Sequence, residues 1–149
     1  MRFAGTYRYA GTAQEQEARR TAIDRAAQDL FFGIRATARS RISATTQILD
    51  SYSFSFDPGK IHVIASSRPD MISPDNGDPA DYVFNGKHST LTQQLIGHQI
   101  TQVFVSEDGR RENQFTLSED GKNLSLKVTV TSGKLTRPVV YVLSYKRAS

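Results

Sequence analysis

The chain has 149 residues, 38% of them hydrophobic and 23% charged, which fits one globular domain over residues 1–149 and excludes a disordered chain. No apolar run approaches the roughly 18 residues that a transmembrane helix needs. The absence of cysteine removes disulfides, thiolate catalysis and Cys-based metal sites together and leaves the compartment open. The net charge of +4 is spread along the chain. Its densest basic stretch, Arg35, Arg39 and Arg41 with Arg19, Arg20 and Arg25 upstream, has no interleaved aromatics of the kind RNA-binding strands carry. No nucleic-acid partner is therefore expected, while peripheral contact with an anionic membrane surface stays open.

Met1 and Arg2 lead straight into strand-like sequence, without the apolar stretch of a signal peptide. Phe3, Gly5, Tyr7 and Tyr9 alternate with Ala4, Thr6 and Arg8 and predict an opening strand. Thr12 followed three residues later by Glu15 has the form of a capping box, so a helix should begin near Ala13. Ile23, Ala27, Leu30, Ile34 and Ala38 then recur at helical spacing, with Phe31 and Ile42 widening the stripe. This predicts a helical insert over about 13–42, one long helix bent near Gly33. A straight helix of that length would reach about 45 Å, more than a small barrel can cover.

Ser51 to Phe56 alternates cleanly, with Tyr52, Phe54 and Phe56 on one face. The turn Asp57-Pro58-Gly59-Lys60 returns it to a second strand carrying Ile61, Val63 and Ala65. Ser66 to Pro79 holds three prolines and predicts the one long loop. From Tyr82 onward, short alternating strands follow at meander spacing: 82–84, 89–96, 99–105, 110–117, the Leu124–Val130 strand and Val139–Lys146. Asn85-Gly86 is a strong hairpin signal. Ser-Glu-Asp-Gly occurs twice, at Ser106–Gly109 and Ser118–Gly121, and predicts two equivalent hairpin turns. The fold class is mainly β with one long helix (α+β): an antiparallel barrel of about nine strands, within a range of 8–10, with the helical insert after the first strand.

Catalytic signatures are missing. His62, His88 and His98 fall on separate strands or turns with no HxH or HExxH spacing, so no metal site is expected. There is no GxSxG elbow and no phosphate-cradling glycine loop. The acidic pairs Glu107/Asp108 and Glu119/Asp120 sit in turn signals. No enzyme activity and no cofactor are expected. The aromatic side chains Tyr7, Tyr9, Tyr52, Phe54, Phe56, Tyr141 and Tyr145 either fill a solid core or line a cavity, and the strand number favours a cavity of several hundred cubic ångströms. Polar residues on the later strands, Gln102, Arg111, Asn113 and Gln114, are candidates to point inward. Among them Arg111 has the chemistry to meet a carboxylate bidentately. The candidate ligand-binding residues are Tyr7, Tyr52, Phe54, Gln102, Arg111, Tyr141 and Tyr145.

Phe3-Ala4-Gly5-Thr6-Tyr7, the helical insert directly after it, and the closing Tyr141-Val142-Leu143-Ser144-Tyr145-Lys146 resemble the calycin group, the lipocalins and intracellular fatty-acid-binding proteins. The resemblance implies a lipocalin-like barrel with helices capping one end and a lipid or fatty-acid-like ligand inside. The chain departs from that group in lacking tryptophan, hence the Gly-x-Trp signature, and in having no Arg-x-Tyr clamp in the last strand. Its insert is also longer than the group's helix pair. Gly5-Thr6-Tyr7, Ala22-Ile23-Asp24-Arg25-Ala26, Gln102-Val103-Phe104 and Leu124-Ser125-Leu126-Lys127-Val128-Thr129-Val130 are similar to a set of small, usually exported bacterial proteins. That likeness implies a periplasmic or extracellular location and no activity. Two functions follow as expectations. One is non-catalytic binding of a hydrophobic or amphipathic small molecule inside the barrel, gated by the helix or the 66–79 loop. The other is a solid-core envelope module that binds a protein or an anionic surface through its helix or a sheet edge.

Overall fold

The computed structural model describes residues 2–30 and 32–149; the expectation placed on Phe31 lies outside them. Strand β1 (Gly5–Tyr9) is followed by helices α1 (Ala13–Gln28) and α2 (Arg35–Thr45), and then by strands β2 (Ser51–Asp57), β3 (Lys60–Ala65), β4 (Met71–Pro74), β5 (Ala80–Phe84), β6 (Lys87–Ile96), β7 (Gln99–Ser106), β8 (Gly109–Leu117), β9 (Asn123–Thr131) and β10 (Val139–Arg147). The ten strands form one antiparallel sheet in the order β4-β3-β2-β1-β10-β9-β8-β7-β6-β5. The sheet curls into a nearly closed barrel whose edge strands β4 and β5 approach each other without a shared ladder.

Alternation decides the inside. Leu124, Leu126 and Val128 of β9 and Val139, Tyr141, Leu143 and Tyr145 of β10 are buried, while Ser125, Lys127, Val140 and Val142 face out. The register Tyr141↔Val128, Leu143↔Leu126, Tyr145↔Leu124 stacks these side chains into continuous inner rows.

The helical insert is two helices, not one bent helix. Helix α1 ends at Asp29, whose neighbour Leu30 donates to Ala27 O at 3.1 Å, and a 3-10 turn over Phe32–Ile34 contains Gly33. The chain then doubles back. Asp24 of α1 pairs with Arg39 of α2 at 2.8 Å, and Arg19 of α1 donates to Thr46 O at 2.7 Å and Ser43 O at 2.9 Å. Folding back lets Ile23 and Ala26 from α1 and Ile42 from α2 share the core, which a straight rod would carry past the barrel rim.

Thr12 caps α1 as the sequence predicts, its Oγ1 accepting the Glu15 N–H at 3.4 Å. The second half of the capping box is diverted. The Glu15 carboxylate accepts from the Ser144 N–H at 2.6 Å and the Ser144 hydroxyl at 2.8 Å, tying α1 to β10 where the five-residue β1 no longer covers the longer strand.

The long loop expected over Ser66–Pro79 contains a strand. β4 pairs with β3 through Val63↔Met71, His62↔Ile72, Ile61↔Ser73 and Lys60↔Pro74. Its alternation, with Met71 and Ser73 buried and Ile72 exposed, is masked in the sequence by Pro69 and Pro74. Proline is tolerated there because β4 is an edge strand.

Candidate functional site

The aromatic side chains converge inside the barrel as a continuous edge-to-face series. Ring centroids are 5.5 Å apart for Tyr9–Tyr145, 5.3 Å for Tyr145–Tyr52, 5.0 Å for Tyr52–Phe115, 5.1 Å for Phe115–Phe54 and 5.7 Å for Phe54–Tyr7. The hydroxyls reach both ends. Tyr141 donates to Thr46 O at 3.1 Å and Tyr145 to Leu49 O at 2.7 Å, both in the connection from α2 to β2. At the opposite end Tyr7 donates to Phe3 O at 2.9 Å and accepts from Arg147 at 2.6 Å. Burial pushes the Tyr52 and Tyr145 phenols above the ordinary value of 10.0; Tyr52 raises Tyr145 further, while the Arg111 cation pulls both the other way.

This interior is full. Tyr7 and Gln102 are 0% exposed, Tyr52 and Tyr145 1%, Phe54 3% and Tyr141 4%; a void able to hold water would show on the side chains lining it. The aromatic series and the amides from neighbouring strands occupy the centre of the barrel, in place of the cavity of several hundred cubic ångströms that the strand number predicts. Open clefts lie outside instead. One sits over the helix pair, lined by Arg19, Arg39, Ser43 and Gln47, and another lies beside Lys122, Lys146 and Ser149.

Across the apolar interior runs a chain of side-chain amides. Arg111 Nε donates to Asn113 Oδ1 at 2.9 Å, Asn113 Nδ2 to Gln102 Oε1 at 3.1 Å, and Gln102 Nε2 to Gln93 Oε1 at 2.7 Å. Gln93 Nε2 then donates to Ser73 Oγ at 3.0 Å, Ile61 O at 3.1 Å and Met71 O at 3.4 Å. The direction of the chain is fixed from both ends. A guanidinium can only donate and a backbone carbonyl can only accept, so each amide must turn its oxygen toward Arg111. Gln102 keeps one N–H whose partner is the Met71 sulfur at 3.4 Å, a weak acceptor.

The structure thus brings Tyr52, Phe54, Gln102, Tyr141 and Tyr145 together inside. Tyr7 lies at the end remote from the helices. Arg111 stands at the helical mouth, half-buried, and its second contact is to Thr45 O of α2 at 3.1 Å. Gln114 faces out and bonds Gln99 at 3.3 Å. Gln93 and Ser73 were missed. The signal for Gln93 was its place at period two between Leu91 and Leu95, a polar residue on an apolar face. The histidines stay apart: His62 meets Asp70 at 3.0 Å and His88 meets Asp81 at 3.4 Å on the outer surface. No cluster of metal-ligating side chains occurs among the described residues.

No family model and no curated protein sequence matches the chain. Solved structures do match along its whole length. The fatty-acid-binding protein of Schistosoma mansoni in complex with arachidonic acid is 16% identical, covers 99% of this chain and 97% of its own, and has a TM-score of 0.57. Zebrafish ileal bile-acid-binding protein complexed with cholic acid is 11% identical over 99% of this chain and 100% of its own, with a TM-score of 0.59. A secretory abundant heat soluble protein from Ramazzottius varieornatus is 10% identical over 99% and 96%, with a TM-score of 0.67. The chain therefore has the calycin-like barrel fold of the fatty-acid-binding proteins, with its helix pair after the first strand.

Proposed function

We propose that the protein binds an amphipathic small molecule of lipid or fatty-acid-like character without catalysing a reaction, and that the packed barrel is its closed, empty form. The observation that carries this reading is the Gln93–Gln102–Asn113 chain. A core that only had to be solid would be as stable or more so with apolar residues at these positions. Here a Gln102 N–H is left facing the flexible side chain of Met71, which can move aside for a ligand oxygen. Access would come from the helical end, where polar contacts hold the helix pair: Glu15 to Ser144, Arg111 to Thr45 and Asp29 to Arg137. The fold's occurrence in proteins crystallised with arachidonic and cholic acids is consistent with such a ligand. A periplasmic or extracellular site of action is part of the proposal on resemblance alone, and fractionation of the native host tests it.

A second reading has its own observation. With the interior filled, the most exposed apolar side chains among the described residues are Phe32 at 81%, on the turn between the helices, and Ile96 at 68%. Phe32 lies beneath the Arg35 guanidinium at 5.6 Å. That combination suits a solid module docking on an anionic membrane or a protein through its helices.

Native mass spectrometry of protein from its own host, followed by titration with a fluorescent fatty-acid probe, separates the two. The binding reading expects a stoichiometric small molecule or saturable probe binding, tightened about tenfold by Met71→Ala and weakened by a similar factor by Gln102→Leu. An empty protein that leaves the probe dark, in wild type and Met71→Ala alike, overturns it. Retention on anionic vesicles by that same empty protein would establish the second reading.

A further inference from the structure

The sheet is continuous except at one seam. Edge strands β4 and β5 face each other with no ladder between them, and few contacts cross from one side to the other. At the helical end the Tyr82 hydroxyl of β5 donates to Pro69 O at 3.0 Å. At the far end β6 runs past β5, and Gln94 forms an isolated bridge with Asn76. Between these, from inside the barrel, Gln93 of β6 reaches Met71 O and Ser73 Oγ on β4 and Ile61 O on β3. Gln93 is thus the clasp of the seam. It is also the last member of the amide chain whose first member, Arg111, holds Thr45 O at the C-terminal end of α2. The chain joins the two least secured parts of the fold, the helix pair and the seam, across three strands of well-paired sheet.

We propose that this chain is a mechanical latch: the helix pair and the β4/β5 seam are released together, because one oriented row of hydrogen bonds holds both. The argument rests on geometry and burial. Gln93 and Gln102 are 0% exposed and Asn113 2%, so no water stands ready to replace a broken link. Breaking one link strands a buried donor and a buried acceptor, each at a desolvation cost, whereas opening the whole row exposes all of them to solvent together. Half-open arrangements are therefore the disfavoured ones. Arg111 supplies the donor for the outermost oxygen of the row, so its removal strands Asn113 Oδ1 at one end while the carbonyls at the seam still orient the other. Arg19, which also donates to carbonyls at the end of α2, is not a member of this row. Coupling of this kind is reciprocal: loosening the seam must loosen the helices by the same factor. The latch is independent of the ligand reading, since it concerns how the empty barrel opens.

Hydrogen exchange read by mass spectrometry on the full chain tests it. Arg111→Met is expected to speed exchange about tenfold in peptides covering 35–49 and also in those covering 60–65 and 71–76, with 123–131 and 139–147 unchanged. Gln93→Leu should do the converse, speeding exchange in 35–49 from the far end of the row. Asp29→Asn, which cuts a helix contact outside the chain, should affect the helices alone. Arg111→Lys keeps the charge but cannot serve Asn113 and Thr45 with a planar fork, so it gives the same pattern should the methionine variant not fold. Acceleration confined to 35–49 in the Arg111 variants overturns the latch. So does a uniform rise that includes β9 and β10, which would mean general loss of stability.

Discussion

Arg147 shows how far a single side chain at the end of the chain can matter without being conspicuous in the sequence. Its guanidinium donates to Gly121 O at 2.7 Å, Ala4 O at 2.7 Å, the Tyr7 hydroxyl at 2.6 Å and Arg2 O, and it lies over the Tyr7 ring at 4.8 Å. It thus joins the N-terminal segment, the β8–β9 turn and the buried face of β1, closing the barrel end opposite the helices. Charge-assisted bonds to carbonyls are worth more than neutral ones, so Arg147→Ala is expected to lower stability by about 2 kcal/mol in urea unfolding. Arg147→Lys should recover less than half of that, since an ammonium cannot span four acceptors spread around a planar fork. A change of only a few tenths would show that the end is closed by Phe3 burial alone. Nothing in the sequence marked this residue, because an arginine after the last alternating position reads as a solvated strand end. Gln93 and Gln102 differ in that respect: each occupies an inward register position, and Gln102 was legible for that reason.

Among the elements, the repeated Ser-Glu-Asp-Gly is instructive because identical residues build two different turns. At Ser106–Gly109 the ladder continues to Ser106↔Gly109, leaving a two-residue connection. Gly109 lies in the strand with φ +155, where a Cβ would come within 2.3 Å of Thr131 O. At Ser118–Gly121 the strands end earlier. Ser118 donates its hydroxyl to Asp120 at 2.6 Å and accepts the Asn123 N–H at 3.0 Å, and Gly121 takes a left-handed φ of +75 with only side-chain ends nearby, at 3.8 Å. The two alanine substitutions should therefore differ. Gly109→Ala meets backbone that cannot yield and is expected to cost more than about 2 kcal/mol, whereas Gly121→Ala carries only the left-handed penalty of about 1 kcal/mol. Equal losses in thermal or urea unfolding would contradict the distinction. Turn chemistry was readable from these four residues, but turn type depends on where the neighbouring ladder stops, which is a pairing property. The same limit hid β4, whose partner strand is what makes Met71–Pro74 a strand. It also hid the break between α1 and α2, set by the size of the barrel end and not by any strong local breaker.

For the whole molecule, inward-facing positions were largely readable from alternation, yet whether they enclose space was not, because packing depends on how side chains from opposite walls interdigitate. The chain places Tyr52, Phe54, Phe115 and Tyr145 in mutual contact, and the barrel closes on them. This has a consequence for alkaline stability. Of six tyrosines, Tyr7, Tyr9, Tyr52, Tyr82 and Tyr145 all have phenols pushed above 10.0, burial being the first cause in each. In the unfolded chain these groups give up their protons near the ordinary value of about 10, while the folded barrel retains them. Below that pH both states are protonated and the contribution to stability is constant. Above it the unfolded state binds fewer protons than the native one, so stability falls as pH rises. The phenolate absorbance of these five at 295 nm should accordingly stay low past the ordinary tyrosine range and then rise in one cooperative step that coincides with loss of the β-sheet circular dichroism signal. A gradual titration centred on the ordinary value, with the sheet intact, would mean that solvent reaches these rings in the native state. The barrel would then be open in solution, and the packed interior would be only one of its conformations.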